Sequence, residues 1–298
     1  MGSSRFLLRG FFERILGRKA LDYLLHLRPL EWPTMTAHFL LGTLLAMGWA
    51  LPWRATLLGW FVFVVLLNGG TLAINSAYDQ DEGDIGYLKA PPSPPEHLLA
   101  VSATMLAASV ALGFLLPRPF FWINLACVVM SVLYSVPPVR LKARAGWDLL
   151  INCVGFGMLT PLGGWALTGR PFTPAIIAAS TGFAFLFATL YPMTQIYQVA
   201  EDGRRGDRTL VIRVGIGSSL VLALGTMLLA HLWFAWGVVL LHRSPVPLLV
   251  SLAVWLLVLV PWMARWRRWT DAQHEAGMYR GLVAWAVTDL SLLALLWH

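Results

Sequence analysis

The chain has 298 residues, of which 58% are hydrophobic and only 12% charged, with a formal net charge of +7. A soluble domain carries about 25% charged residues, so the composition excludes an ordinary soluble globular protein and implies a polytopic membrane protein of one bundle. The two cysteines, Cys127 and Cys153, lie in apolar runs. They are expected as small packing residues, which leaves no support for a disulfide framework or a zinc site.

In chain order, the first element is an amphipathic helix. Leu7, Leu8, Phe11, Phe12, Ile15 and Leu16 form an apolar stripe, with Arg5, Arg9, Arg14 and Arg18 elsewhere on the surface. No uninterrupted apolar core or small-residue cleavage site follows, so it is not a signal peptide. Two placements stay open: on an anionic inner leaflet, or packed against the bundle as a cytoplasmic helix. Residues 1–27 are thus expected as a surface segment and 28–298 as a single membrane domain.

A spanning helix needs about 20 mostly apolar residues. Nine stretches meet this, roughly 34–52, 55–78, 97–116, 119–136, 147–168, 173–197, 217–241, 246–264 and 280–297. Prolines at several breaks, among them Pro52, Pro117, Pro137-Pro138 and Pro171, suit helix ends. With the N-terminus inside, 17 Lys and Arg fall on the inner side and four (Arg54, Arg118, Arg170, Arg243) on the outer, while Arg280 sits at the inner edge of the last span. The positive-inside rule therefore predicts an all-α bundle of nine spans with a cytoplasmic N-terminus.

Two segments on that inner side share a pattern. Asn75-Ser76-Ala77-Tyr78-Asp79 closes the second span and runs on to Asp81, Glu82 and Asp84; Gln198-Val199-Ala200-Glu201-Asp202 follows the sixth and runs on to Asp207. Seven of the fifteen acidic residues fall in these two segments, four in the first and three in the second. Residues at i and i+4 share a helix face, so Asn75 points with Asp79, and Gln198 with Asp202. If the two helix ends meet across a cavity, their oxygens suit Mg²⁺, which takes few carboxylates, several waters and substrate phosphates. The pattern points to a bound diphosphate, with Asp84 and Asp207 supplying further carboxylates. Solvated loops at helix ends are the plain alternative, weakened by the recurrence of the spacing and by the scarcity of charge elsewhere. Cations for phosphate oxygens are Arg140 and Lys142 after the fourth span, Arg28 ahead of the first, and Arg204, Arg205 and Arg208 beside the second motif.

Other polar residues inside the spans carry readings of their own. Asp289, near the middle of the last span, is a base or acceptor-orienting group, a protonated helix–helix link, or the partner of a buried cation. Asp148 is placed to cap the fifth span, with a substrate role as the lesser reading. Asn68, Asn124 and Asn152 are expected to hydrogen-bond between helices, and His38 to be structural.

Together these residues resemble the UbiA superfamily of intramembrane prenyltransferases. Asn75, Asp79 and Asp84 match its first motif. Asp202, Gly206 and Thr209 match its second, although Gln198 stands where an Asp is usual. Tyr134-Ser135, Pro137-Pro138 and Arg140-Leu141-Lys142 look like a third signature, and Arg28-Pro29 like the lead-in to the first span. The resemblance implies a nine-helix bundle around a central cavity, capped by the motif loops. It further implies Mg²⁺ held by Asn75, Asp79, Asp84, Asp202 and Asp207, and a diphosphate held by Asn75, Gln198, Arg140, Lys142, Arg28 and Arg208. Catalysis would fall to Asp79, Asp202, Arg140, Lys142 and Tyr134: the carbon–oxygen bond ionises, and an allylic carbocation is captured by an acceptor. Tyr134 and Tyr197 are the best-placed aromatic faces for that cation. The expected partners are an isoprenyl diphosphate, a lipophilic and foremost aromatic acceptor, and membrane lipids, with no nucleic acid; the expected location is a bacterial inner membrane. Two other functions compete: a terpene cyclase on the same bundle, which quenches the cation without an acceptor, and a transporter or lipid-binding protein. Nine spans, no obvious inverted repeat and acids at a helix end rather than the midplane speak against the last. The proline-rich stretch 91–95 in place of a basic one sets the first loop apart from the family.

Overall fold

The computed structural model describes residues 12–79, 91–144, 146–206 and 209–295, with backbone alone at 201 and 205. Every regular element among them is helical: α1 (Arg18–His26), α2 (Trp32–Met47), α3 (Trp53–Asp79), α4 (Leu98–Gly113), α5 (Arg118–Ser135), α6 (Trp147–Ala166), α7 (Pro174–Ile196), α8 (Val199–Arg205), α9 (Leu210–Val214), α10 (Ile216–Leu240), α11 (Pro247–Arg265) and α12 (Asp271–Ala294). Six of the long helices, α3, α5, α6, α7, α10 and α11, are long and apolar enough to cross a membrane. The other three expected spans fall on α2 and α4, each 16 residues, and on α12, which carries Asp271, Glu275, Arg280 and Asp289 along its length. Of the amphipathic stripe, only Phe12, Ile15 and Leu16 lie within the described residues; all three are exposed.

Local chemistry sets the helix ends. Thr173 caps α7 by accepting from the Ile176 amide, with Pro174 just inside the helix. Thr270 and Gln273 form a capping box at the start of α12, in which each side chain serves the other's backbone. Two helices, α3 and α6, pass through π-helical stretches at Phe61–Asn68 and Cys153–Leu159. Such stretches are uncommon and often occur at functional sites; both flank the cavity described below.

The bundle packs as two halves. One core gathers Met35, Phe39, Val62, Phe63, Leu67, Leu106, Phe120 and Cys127 from α2 to α5. The other gathers Phe183, Leu186, Met193, Leu220, Met227, Phe234, Trp255, Trp262 and Trp285, chiefly from α7, α10, α11 and α12. Close approach is greatest where α2 crosses α6: a Cβ on Gly42 would overlap the Pro161 carbonyl oxygen, and one on Gly164 that of Phe39. Small residues permit such contact between helices that gain nothing from leaving lipid. Thr43 Oγ1 donates to the Gly164 carbonyl at 2.9 Å and locks the crossing. Asn124 Nδ2 joins α5 to α4 through the Ser109 carbonyl at 3.1 Å, the interhelical role expected of it. Asn152 donates to Asp148 O of its own helix at 2.8 Å and also meets the Tyr134 hydroxyl of α5, so it bonds within and between helices. Cys127 and Cys153 are free and buried.

Candidate active site

Between the two halves lies a cavity of about 780 Å³, within the range of small-molecule sites. Its lining along α3 runs from Phe63 to Asp79, at most about 24 Å at the helical rise. The lining changes character along that length. Phe63, Leu67, Cys127, Met130, Phe156 and Phe187 make the deep wall, and polar side chains gather where α3 ends.

Asn75 and Asp79 stand one turn apart at that end, and the chain following α5 folds back onto them. Arg140 Nη2 donates to Asp79 Oδ1 at 3.1 Å, and Lys142 Nζ pairs with the same oxygen. Lys142 Nζ also donates to Asn75 Oδ1 at 2.8 Å, and Ser135 Oγ to the same atom at 3.4 Å. Arg140 sits in the left-handed region (φ 34°), as does Arg28 (φ 48°). Neither is glycine, so each position carries local strain of order 1–2 kcal/mol. Both arginines line the cavity and both precede a single 3₁₀ turn. Arg28 is 9% exposed; it reaches Glu31 at 3.6 Å, while its Nε and Nη2 are buried without a hydrogen-bond partner among the described residues. Burial pushes the Glu31 carboxyl above the usual carboxylate range, against the pull of Arg28.

The second motif is built on a break. α7 ends at Ile196, and Gln198 is the N-cap of the separate helix α8, which Gly206 closes in the left-handed conformation (φ 77°). Gln198, Asp202 and Thr209 all line the cavity; Thr209 Oγ1 is buried without a hydrogen-bond partner among the described residues. Tyr134 and Tyr197 line it too. Thus Arg28, Asn75, Asp79, Tyr134, Arg140, Lys142, Gln198 and Asp202 meet at one cavity, while Asp81, Glu82, Asp84, Asp207 and Arg208 lie outside the described residues.

The profile of the UbiA prenyltransferase family matches residues 33–286. The chain belongs to this family. A curated relative, the 1,4-dihydroxy-2-naphthoate octaprenyltransferase of Escherichia coli (strain K12), is 27% identical over 168 residues, 52% of this chain and 50% of the relative. The match therefore spans about half the length of that protein. The UbiA fold is seen as well in solved structures of a UbiA homolog from Archaeoglobus fulgidus. One is bound to DMAPP and Mg²⁺ (TM-score 0.70, 20% identity, 90% of this chain and 99% of the other). Another is bound to GPP and Mg²⁺ (TM-score 0.70, 21% identity, 90% and 99%). A digeranylgeranylglyceryl phosphate synthase structure superposes with TM-score 0.67 at 17% identity, over 92% of this chain and 97% of the other.

For a UbiA protein the donor set at the polar end bears on the metal. Among the described residues, no three His, Cys, Asp or Glu side chains converge on one point. Hard oxygens share the lining instead: the carboxyls of Asp79 and Asp202 and the amide oxygens of Asn75 and Gln198 belong to residues of the same cavity. That set does not make an all-protein cage, but it suits Mg²⁺, which keeps waters and binds jointly with phosphate.

Several cavity residues escape a reading of motifs alone. Tyr191, Gln195, Gln198 and Asp202 follow at i, i+4, i+7 and i+11, and all four line the cavity. Asn68, Asn75 and Asp79 repeat that stripe on α3, and Asn68 Nδ2 is buried without a hydrogen-bond partner among the described residues instead of bridging helices. The polar stripe is the signal that would have found Tyr191 and Gln195. Asp289 is not a cavity residue in this structure: its Oδ1 lies 3.3 Å from His38 Nε2, which also receives Trp285 Nε1 at 2.6 Å. The Trp285–His38 hydrogen bond joins α12 to α2 behind the Phe187 wall, where Trp285 packs edge-on (5.8 Å between centroids), and Asp289 Oδ1 beside it is buried without a hydrogen-bond partner among the described residues.

Proposed function

We propose that this protein is an Mg²⁺-dependent prenyltransferase, transferring an isoprenyl group from its diphosphate to a lipophilic aromatic acceptor. The observation that carries the reading is that Asn75, Asp79, Gln198 and Asp202 line one cavity with Arg28, Arg140 and Lys142, and that the deep wall of this cavity is apolar and aromatic. A diphosphate fits the first part and an isoprenyl tail the second. Asn75, Asp79 and Asp202, with Asp84 and Asp207 as further ligands, would hold Mg²⁺, which would supply charge neutralisation at the leaving group. The chain's own cations do the same work. Arg140 offers two parallel donors to phosphate oxygens, Lys142 a point charge, and Arg28 the unpaired Nε and Nη2. These charges stabilise the transition state more than the ground state, because negative charge grows on the diphosphate as the carbon–oxygen bond breaks. The Tyr134 ring and the Phe156, Phe187 and Tyr191 series flank the space left to the allylic cation. An aromatic acceptor is favoured by the name of the Escherichia coli relative, and isoprenyl diphosphates by the ligands of the Archaeoglobus fulgidus homolog.

In this reading all nine long helices span a bacterial inner membrane. The N-terminus, residues 1–27 and both motifs lie on the cytoplasmic side, and the catalytic domain covers 28–298. Reporter fusions after each helix test the topology; an outer location for the loop after α3 would overturn it.

The activity is tested with purified protein, Mg²⁺ and DMAPP or GPP, with and without 1,4-dihydroxy-2-naphthoate and other hydroxylated aromatics, following pyrophosphate and product mass. Acceptor-dependent release that disappears in Asp79→Asn is the expected result. Release without acceptor, giving a cyclised hydrocarbon or alcohol, would make the protein a terpene cyclase. No release under any condition sinks the enzyme reading for these substrates.

A further inference from the structure

Asp148 is the most completely buried carboxyl in the neighbourhood of the cavity, at 0% exposure, and its hydrogen bonds exceed those of a helix cap. One oxygen does cap: Oδ1 accepts from the Gly146 amide at 2.8 Å at the start of α6. The other faces the bundle interior. Oδ2 accepts from Gln195 Nε2 at 3.2 Å and from the Tyr191 hydroxyl at 3.4 Å. Tyr191 in turn lies 3.4 Å from the Tyr134 hydroxyl. Every group touching the carboxyl is a donor, which suits an ionised carboxylate, yet no Lys or Arg among the described residues pairs with it. A buried charge held only by neutral donors is costly and rarely kept for packing alone.

The chain of hydroxyls has a direction. A phenol carries one proton. Tyr191 gives its proton to Asp148, so the Tyr134–Tyr191 contact must be donated by Tyr134. The Tyr134 oxygen lines the cavity and also meets the Asn152 side chain. With its own proton given to Tyr191, its remaining capacity is one lone pair: it can accept a proton there and cannot give one.

We infer that Asp148 is the proton acceptor of the transfer reaction, reached through Tyr191 and Tyr134, and that it positions both hydroxyls to receive a proton from an acceptor hydroxyl. The inference rests on the prenyl-transfer reading above. In the step, the carbon–oxygen bond to the diphosphate breaks and its electron pair leaves with the diphosphate. The acceptor ring carbon bonds to the allylic carbon, and the acceptor hydroxyl loses its proton to the Tyr134 oxygen. Tyr134 passes its own proton to Tyr191, and Tyr191 passes its own to Asp148 Oδ2. One proton enters the relay and one arrives, leaving both tyrosines neutral. The 3.4 Å spacings are long for hydroxyl bonds; such bonds often tighten only when substrate is bound. Gln195, which also accepts from the Val211 amide at 3.4 Å, ties the carboxylate to the segment following the second motif.

The test uses full-length protein with GPP, Mg²⁺ and 1,4-dihydroxy-2-naphthoate or whichever hydroxylated aromatic the wild type prenylates. Tyr191→Phe removes one hydroxyl and little else, and cuts the relay. It is expected to lower kcat for prenylated product by about 100-fold, the scale of a lost proton-transfer group, with the KM for GPP within about twofold. Asp148→Asn should do the same, and Asp148→Glu should recover part of the rate. The double variant Tyr191→Phe/Asp148→Asn should be no slower than the worse single one, because both break one chain. Should Asp148→Asn fail to fold, Tyr191→Phe and its KM-against-kcat split carry the test alone. A Tyr191→Phe enzyme with wild-type kcat, or additive losses in the double variant, would overturn the relay while leaving prenyl transfer standing. A wild type that prenylates none of these acceptors removes the transfer reading and this inference with it.

Discussion

The two motif-bearing helix ends hold comparable side chains in different frames. Asn75 and Asp79 sit on the last turns of α3, one continuous helix of 27 residues. Two cations from a single loop, Arg140 and Lys142, hold the Asp79 carboxyl before any ligand arrives. Gln198 and Asp202 sit instead at the start of a separate seven-residue helix, joined to α7 across a break at Tyr197. The first motif is therefore preorganised by a long helix and a salt-bridged loop. The second depends on a cap, a short helix and the left-handed Gly206 to aim its oxygens. Where charge is neutralised in advance, binding costs little rearrangement; where a neutral Gln replaces a carboxylate, the site relies more on its partner half. On the proposed function, the comparison assigns the first motif to anchoring the diphosphate end and the second to completing it.

The sharpest way to break that comparison is to exchange carboxylates for amides one at a time. Asp79→Asn should lower pyrophosphate release about 10³-fold, the scale seen when a charge-stabilising group is lost. Asp202→Asn should cost less, because it removes charge from the half that is already the weaker. Equal losses would show that the two motifs share the load. Next in size is the clamp. Lys142→Ala and Arg140→Ala should each lower kcat about 100-fold, and Arg140→Lys should not restore it, since a lysine lacks the planar pair of donors. Steady-state rates with GPP settle both points, and a Lys142→Ala enzyme at wild-type rate would remove the clamp from catalysis.

A third comparison concerns the frame itself. Gly164→Ala puts a methyl into the Phe39 carbonyl at the α2–α6 crossing, and should cost about 1–3 kcal/mol as an overpacked contact. The same change at Gly225 in α10, where nothing lies within 4 Å, should be neutral or slightly stabilising. Thermal unfolding in detergent reads the difference. Neither glycine was distinguishable in sequence, because hydropathy marks where a helix runs and not which face another helix meets. The helix positions were legible for the same reason: long apolar runs are punctuated by Pro, Gly and charge, and all nine expected stretches fall on helices. The pairing of Asn75 with Asp79, and of Gln198 with Asp202, was legible from i, i+4 spacing; that both pairs line one cavity was not, since spacing within a helix says nothing of which helices meet. The pairing of Arg140 and Lys142 with Asp79 was not, since it depends on how the chain turns after α5. Tyr191 hid in an apolar run that reads as packing, and the π-helical stretches hid because hydropathy does not separate their period from that of an α-helix. Asp148 was legible only in its capping half, at Gly146; the half facing Tyr191 and Gln195 needed a third helix to be in place.

The smallest and most informative change is Gln198→Asp. Gln198 lines the cavity at the N-cap of α8, where an Asp is at least as good a cap as any residue, so α8 should not be weakened. The change adds one negative charge to the cavity that Asp202 and Asp79 also line. If Mg²⁺ is held across the two motifs, an added carboxylate raises its affinity, since ligand charge tunes binding of hard cations. The Mg²⁺ concentration for half-maximal pyrophosphate release should fall about tenfold, a change of roughly 1.4 kcal/mol. The maximal rate should move little, or fall if product diphosphate is then held too tightly. An unchanged Mg²⁺ dependence would place Gln198 away from the metal. The second motif would then contribute through Asp202 alone, and the asymmetry between the two helix ends would be deeper than the loss of one charge.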